Sequence, residues 1–111
     1  MWNSKKILRT IESLPVYAGD IRFIPGMRVL HPISVVAHTF YNSKESNEEY
    51  LVTAPDIGIS AFSDIGITDA FRELKLSIRS SYRTLHKLEE DRLGILAMEQ
   101  KEALRYYMEK A

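Results

Sequence analysis

The sequence predicts an α+β fold in which an antiparallel β-meander packs against a long helix, with extra helices at the N- and C-terminal ends. Three observations predict it: an uncharged β-branched run at 33–41, two shorter strand-like runs at 50–54 and 59–63, and one apolar stripe between 68 and 90. A meander followed by helices is typical of α+β domains. The 111 residues suit a single domain, 1–111, with one hydrophobic core.

The first 31 residues are predicted to form a helix and an extended extension. Apolar residues recur over 5–14 at the i, i+3, i+4, i+7 spacing of an amphipathic helix, and Pro15 ends it. Two short strands, 21–24 and 28–31, then flank Pro25 and Gly26. Proline followed by glycine suits a tight turn, so we expect a hairpin here.

Three antiparallel strands are predicted next. The run 33–41 is rich in β-branched and aromatic residues, and because both of its faces are partly apolar, we expect both to be covered. Polar residues 42–48 form a hairpin loop before the second strand, 50–54. The turn-forming segment 55–58 separates this strand from the third, 59–63.

The remaining residues are predicted to form two helices. Thr68 is a good N-cap for the first, which runs to about Glu90. Gly94 is expected to cap or interrupt the helical structure before a last helix from Ile95 to about Met108. At 100° per residue, the apolar positions of the long helix lie within about 120° of arc, as a core stripe requires. These positions are Phe71, Leu74, Ile78, Tyr82, Leu85 and Leu88.

Composition argues against several classes of protein. The absence of cysteine excludes disulfides, thiolate metal sites and cysteine nucleophiles, and fits a reducing, cytoplasmic location. No run approaches the ~18 apolar residues of a membrane span, and no signal peptide is evident. The net charge of zero, from 15 basic and 15 acidic residues, argues against a strongly basic nucleic-acid-binding module, although nucleic-acid binding is left open.

The zero net charge conceals an uneven distribution. Residues 1–33 hold five basic and two acidic groups, whereas 42–73 hold two basic and seven acidic groups, and 74–111 hold eight basic and six acidic groups. The acidic middle segment favours a basic partner, with a solvated acidic loop as the simpler interpretation.

Candidate catalytic groups are sparse. The three histidines lack the spacing of a helical metal pair, and neither a P-loop nor a nucleophile elbow is present. Asp56 and Asp64 flank the third strand and, with Glu48 or Glu49, are candidate ligands of a divalent metal. The simpler interpretation is that Asp56 shapes a turn and Asp64 ends a strand. We therefore expect no enzyme, metal or cofactor.

The long helix also carries four cations spaced four residues apart, Lys75, Arg79, Arg83 and Lys87. Such a row of cations either binds phosphate groups or simply faces solvent, and the solvent-facing case is the commoner one. No aromatic residue outside the core stripe interleaves with it, as one would in a typical single-strand binding surface. The exposed position expected for Leu76 marks, together with the final helix, a candidate subunit contact.

The stretch from Pro32 to about Leu88 resembles the HicB-like antitoxin family. The strand at 33–40 and a polar loop precede Tyr50–Gly58, which is similar to the family's y-x-a-x-x-P-D-L-x-G motif. The segment from Asp64 to Ala70 is similar to the family's G-D-T-x-x-E-A helix start. Ser63 stands where that motif has glycine, and neither a helix-turn-helix nor a ribbon-helix-helix unit follows.

The resemblance implies a partial RNase-H-like β-β-β-α core at 32–90, followed by a C-terminal helix at 91–111. It also implies a non-enzymatic antitoxin that binds and masks a small basic RNase toxin of the HicA type, and that forms homo-oligomers. The predicted partner-binding residues are Pro55, Asp56, Ile57, Gly58 and Asp64. The alternatives are an orphan HicB-like oligomeric domain without a toxin partner and a divalent-metal nuclease.

Overall fold

The computed structural model describes residues 14–42 and 47–111. It confirms the α+β class, with an antiparallel sheet packed against a long helix. Single 3-10 turns lie at Pro55–Ile57 and Glu90–Arg92. In chain order the other elements of the described residues are β1 (Leu14–Ile21), β2 (Met27–Val29), β3 (Ile33–Asn42), β4 (Asn47–Ala54), β5 (Ile59–Ser63), α1 (Ile67–Lys87), α2 (Ile95–Tyr107) and β6 (Met108–Lys110).

The main sheet has four antiparallel strands in the order β1-β3-β4-β5. The β3-β4-β5 meander is as predicted, and Val52 of β4 pairs with Ala37 on one side and Ala61 on the other. β1 adds a fourth strand on the free side of β3, with Ile21 opposite Ile33. The predicted helix over 5–14 lies outside the described residues except for Leu14, which begins β1 instead.

The hairpin predicted around Pro25 and Gly26 is wrong, although the turn itself is present. The Met27 amide donates to the Ile24 carbonyl at 3.0 Å, and Gly26 takes a φ of 78°. The strands on either side separate, because β1 pairs with β3 while β2 pairs with β6 in a second, two-stranded sheet. A solvent-facing hairpin could not bury Ile21, Ile24 and Met27, whereas this arrangement buries all three.

One face of the main sheet forms the core. Ile33, Val35 and Ala37 of β3 are buried there, and α1 packs across this face. The expectation that both faces of β3 are covered is wrong, since Ser34 on the other face is exposed and Val36 is only half-buried. The strand tolerates this because its outer positions alternate polar and apolar side chains.

The apolar stripe of α1 faces the core over most of its predicted length. Leu74, Ile78 and Leu85 are buried, and Phe71 and Tyr82 pack partly buried against them. The helix ends at Lys87 and not at Glu90, and Leu88 is accordingly exposed. Gly94 is the N-cap of α2.

α2 returns over the edge of the core and leads into β6, a strand that was not predicted from the sequence. Leu104 and Met108 are fully buried. Lys101 is also buried, and its ammonium group lies 3.5 Å from the carboxylate of Glu90. Within the described part of the chain, no helix combines the length and the apolar character that a membrane crossing needs.

The start of α1 is fixed by Ser63 and not by the predicted cap, Thr68. The helix begins at Ile67, and its N-cap residue makes no side-chain capping bond. The Ser63 hydroxyl, only 5% exposed at the end of β5, donates to the Asp69 carboxylate at 2.8 Å. The same oxygen accepts a 3.0 Å bond from the Ile65 amide. A side chain of the preceding strand therefore orders the turn into the helix.

We expect Ser63→Ala to lower the free energy of unfolding by about 1–3 kcal/mol, because it leaves the part-buried Ile65 amide without its acceptor and removes one of the two partners of the Asp69 carboxylate. Ser80→Ala is the matched control, since Ser80 is exposed on α1 and alanine favours helix there. Urea denaturation followed by circular dichroism measures both variants. Equal midpoints for the two would contradict the assigned role of Ser63.

Candidate partner-binding site

The predicted site residues 55–58 form the tight connection between β4 and β5. Pro55, Asp56 and Ile57 make a single 3-10 turn, which Gly58 closes in the left-handed conformation at φ 65°. The Ile57 side chain is only 3% exposed, and its carbonyl accepts a 3.0 Å hydrogen bond from the Gln100 side chain of α2. The segment is thus a turn, as predicted, and it packs against α2 of the same chain.

Asp56 is exposed at this turn and also contacts the end of α2. The Tyr107 hydroxyl donates to the Asp56 carboxylate at 3.3 Å. Burial raises the pKa of Tyr107 above its ordinary value, and the negative charge and hydrogen bond of Asp56 raise it further, with a smaller effect of Tyr106. The negative Asp56 side chain therefore faces a phenol that resists ionisation.

We expect Asp56→Asn to lower the pKa of Tyr107 toward its ordinary value near 10, because the repelling charge is removed while burial remains. The raised folded pKa stabilises the fold below pH about 10, and that contribution is lost as the pH rises through the folded pKa. Alkaline titration of tyrosinate absorbance measures the change. The same Asp56 substitution in a Tyr107→Phe background should leave the titration unchanged, and a shift there would contradict the assignment.

Asp64 lies at the other end of β5 and does not share a surface with the 55–58 turn. At about 3.3 Å per residue, β5 holds Asp56 and Asp64 roughly 13 Å or more apart. The structure therefore does not bring the predicted site residues together. Among the described residues no three histidine, aspartate or glutamate side chains are grouped as a metal site requires, and Glu48 and Glu49 lie at the Asp64 end.

Five acidic residues lie on elements that meet near Asp64, and we call this region the acidic end of the sheet. β4 begins where β5 finishes, since Tyr50 pairs with Ser63, and the first turns of α1 start at the same place. Within the described part of this region, Arg72 forms an ion pair with Asp69. The acidic end consists of Glu48, Glu49, Asp64, Asp69 and Glu73.

Two members of the acidic end are held by neighbouring side chains. The Tyr50 hydroxyl donates to Glu48 at 3.0 Å, and this bond is the main cause that raises the pKa of Tyr50. Asp69 is fixed by Ser63 and Arg72. Glu48, Asp64 and Glu73 remain exposed. The charge of residues 42–73 thus predicted an acidic surface, and of the carboxylates grouped from the sequence as candidate metal ligands, Asp64 lies at the end of Glu48 and Glu49 whereas Asp56 does not.

A second exposed surface lies at the start of α2. Ile95 and Leu96 are 79% and 80% exposed. Leu93, Ile95 and Met98 line an open apolar groove there, which Glu99 and Glu102 flank. The predicted subunit contact through Leu76 and the final helix is compatible with this exposure, since Leu76 is also partly exposed on α1.

Comparison with known proteins does not assign this chain to a family. No family model, no curated protein and no solved structure matches it. The resemblance to HicB-like antitoxins therefore rests on the sequence motifs at 50–58 and 64–70, and stays a prediction.

Proposed function

We propose that this chain is a non-enzymatic binding protein similar to HicB-like antitoxins, which binds and masks a small basic RNase toxin through the acidic end of its sheet. The observation that carries the proposal is the placement of exposed Glu48, Asp64 and Glu73 at the end of the sheet where β4 begins, β5 ends and α1 starts. Masking an RNase of this type places the protein in the cytoplasm, where the toxin meets its RNA.

The physical argument is electrostatic complementarity. An RNase surface that binds RNA phosphates is basic, and a protein that covers it must offer negative charge in a similar arrangement. Exposed Glu48, Asp64 and Glu73 present that charge from three different elements, β4, the loop after β5, and α1. Such a field speeds encounter with a basic partner and disfavours acidic ones.

The 55–58 turn has a structural role, because it packs against other parts of the same chain. Ile57 is buried, Asp56 bonds to Tyr107, and the Ile57 carbonyl bonds to Gln100. The contacts of this turn are therefore largely intramolecular, and we assign partner binding to the acidic end, with Asp64 as the predicted residue that belongs to it.

The proposal is tested with the small basic protein encoded in the adjacent reading frame. Its expression in a bacterial host should stop growth, and co-expression of this chain should restore growth. The variant Glu48→Gln/Asp64→Asn/Glu73→Gln should bind the purified partner at least about tenfold more weakly at low salt, because close interfacial charge pairs contribute about 1.5 kcal/mol or more.

The matched control is Glu89→Gln/Asp91→Asn/Glu99→Gln, which removes three exposed carboxylates from another region and changes the net charge equally. Its affinity should stay within about twofold of the parent, since distant rim charges contribute little. A toxic neighbour that this chain does not neutralise would overturn the proposal, and so would equal losses in the two variants.

A second candidate function is self-association through the apolar start of α2. Ile95 and Leu96 are too exposed to contribute to the hydrophobic core of this chain. Adjacent exposed apolar side chains of this kind are typical of protein–protein interfaces. Light scattering should give a homo-oligomer for the parent chain and a smaller species for Ile95→Glu/Leu96→Glu. A parent chain that stays monomeric at high concentration would contradict this candidate.

A further inference from the structure

The four cations Lys75, Arg79, Arg83 and Lys87 form what we call the basic row of α1. They span about 18 Å of helix at 1.5 Å per residue, and residues 74–87 include no acidic residue. Within the described residues none of the four forms an ion pair. Their charge is therefore available to a ligand.

The loop between β1 and β2 lies beside the basic row. The Arg79 guanidinium donates to the Pro25 carbonyl at 3.2 Å, which fixes the loop against α1. Lys75 places its ammonium group 5.9 Å from the centre of the Phe23 ring. Phe23 is 65% exposed. An exposed aromatic ring thus stands at one end of a row of cations, a combination hidden in the sequence because Phe23 precedes the row by 52 residues or more.

We propose that the basic row and Phe23 form a binding site for single-stranded nucleic acid. Cations spaced along a helix contact successive backbone phosphates, and an exposed ring stacks on a base. A base in a duplex already stacks on its neighbours and offers no free face, so Phe23 favours an unpaired strand. The site uses neither the acidic end nor the 55–58 turn, and it does not depend on the proposed masking of a toxin.

The zero net charge is compatible with this site, because positive and negative groups are separated in space. The basic row runs along α1 away from the acidic end, where Glu73 is the nearest acidic residue on the helix. At the end of β1, next to this loop, Asp20 is paired with Arg22. Four cations without base-specific partners predict a dissociation constant in the micromolar range that weakens steeply with salt.

The test is fluorescence anisotropy with a labelled, mixed-sequence single strand of about 12 nucleotides, as RNA and as DNA, at about 50 mM salt. Arg79→Gln/Arg83→Gln should weaken binding at least about tenfold and reduce the slope of log affinity against log salt by about 1.4, or 0.7 for each cation removed. Phe23→Leu should weaken binding at least about fivefold while leaving that slope unchanged, because it removes stacking but no charge.

Arg92→Gln/Arg105→Gln is the matched control, since it removes two exposed arginines from another surface, and it should retain most of the affinity. Circular dichroism melts verify that all variants fold. The proposal is overturned if neither strand binds at micromolar protein, if the control variant loses as much affinity as Arg79→Gln/Arg83→Gln, if Phe23→Leu binds like the parent, or if a duplex or anionic phospholipid vesicles compete better than the single strand.

Discussion

Leu74→Ala is expected to lower the free energy of unfolding by about 2–5 kcal/mol, the largest loss among the substitutions considered. Leu74 is fully buried on the side of α1 that packs against the main sheet. Truncation removes its apolar contacts and leaves a cavity that the sheet cannot close without shifting strands held in register by hydrogen bonds. Urea denaturation followed by circular dichroism measures the loss.

Leu76→Ala makes the same chemical change two positions along the same helix and serves as the control. Leu76 is 38% exposed and lies on the opposite side of α1 from Leu74. We expect its loss to stay below about 1 kcal/mol, as is usual for surface positions. If the two variants unfold at the same denaturant concentration, the assignment of the core face of α1 is wrong.

Ile57→Ala is expected to cost about 2–4 kcal/mol of stability, although Ile57 lies in a segment that the sequence predicts to bind a partner. Its side chain is 3% exposed and belongs to the main hydrophobic core. The turn also docks against α2 through Gln100. The deleted methyl groups therefore leave a cavity where β4, β5 and α2 meet.

Asp56→Ala, at the adjacent exposed position, should cost less than about 1 kcal/mol, because it removes one exposed hydrogen bond to Tyr107. Thermal and urea melts of both variants measure the contrast. An Ile57→Ala protein of parental stability would show that the turn does not form part of the core, and would return Ile57 to the set of candidate binding residues.

The meander and the long helix could be predicted because their signals are local. The run from Ile33 is rich in strand-forming residues, Pro55 and Gly58 mark the turn between β4 and β5, and the apolar spacing of α1 repeats along most of the helix. β1 and β6 could not be predicted in the same way. Each is defined by a distant partner, and three-residue strands such as Met108–Lys110 carry no periodicity of their own.

In the candidate sites too, local features could be predicted from the sequence and contacts between distant residues could not. The charge of residues 42–73 predicted an acidic surface, but the sequence also grouped Asp56 with Glu48 and Asp64, whereas the antiparallel pairing of β4 and β5 places Asp56 at the opposite end. The start of α1 was predicted at Thr68 because a good cap residue stands there, whereas Ser63 supplies the tertiary contact instead. Tertiary hydrogen bonds of this kind leave no pattern in the sequence.

The small β2–β6 sheet has a consequence for the order in which the chain folds. Arg28 of β2 forms an ion pair with Glu109 of β6, so the two halves of this sheet are separated by 81 positions. During folding, the meander and α1 can form before β2 finds its partner, because their elements follow one another closely in the chain. Until residues 108–110 pair with β2, Met27 and the core beside it stay open to solvent and to chaperones, and closure of this long loop is expected to be a late step.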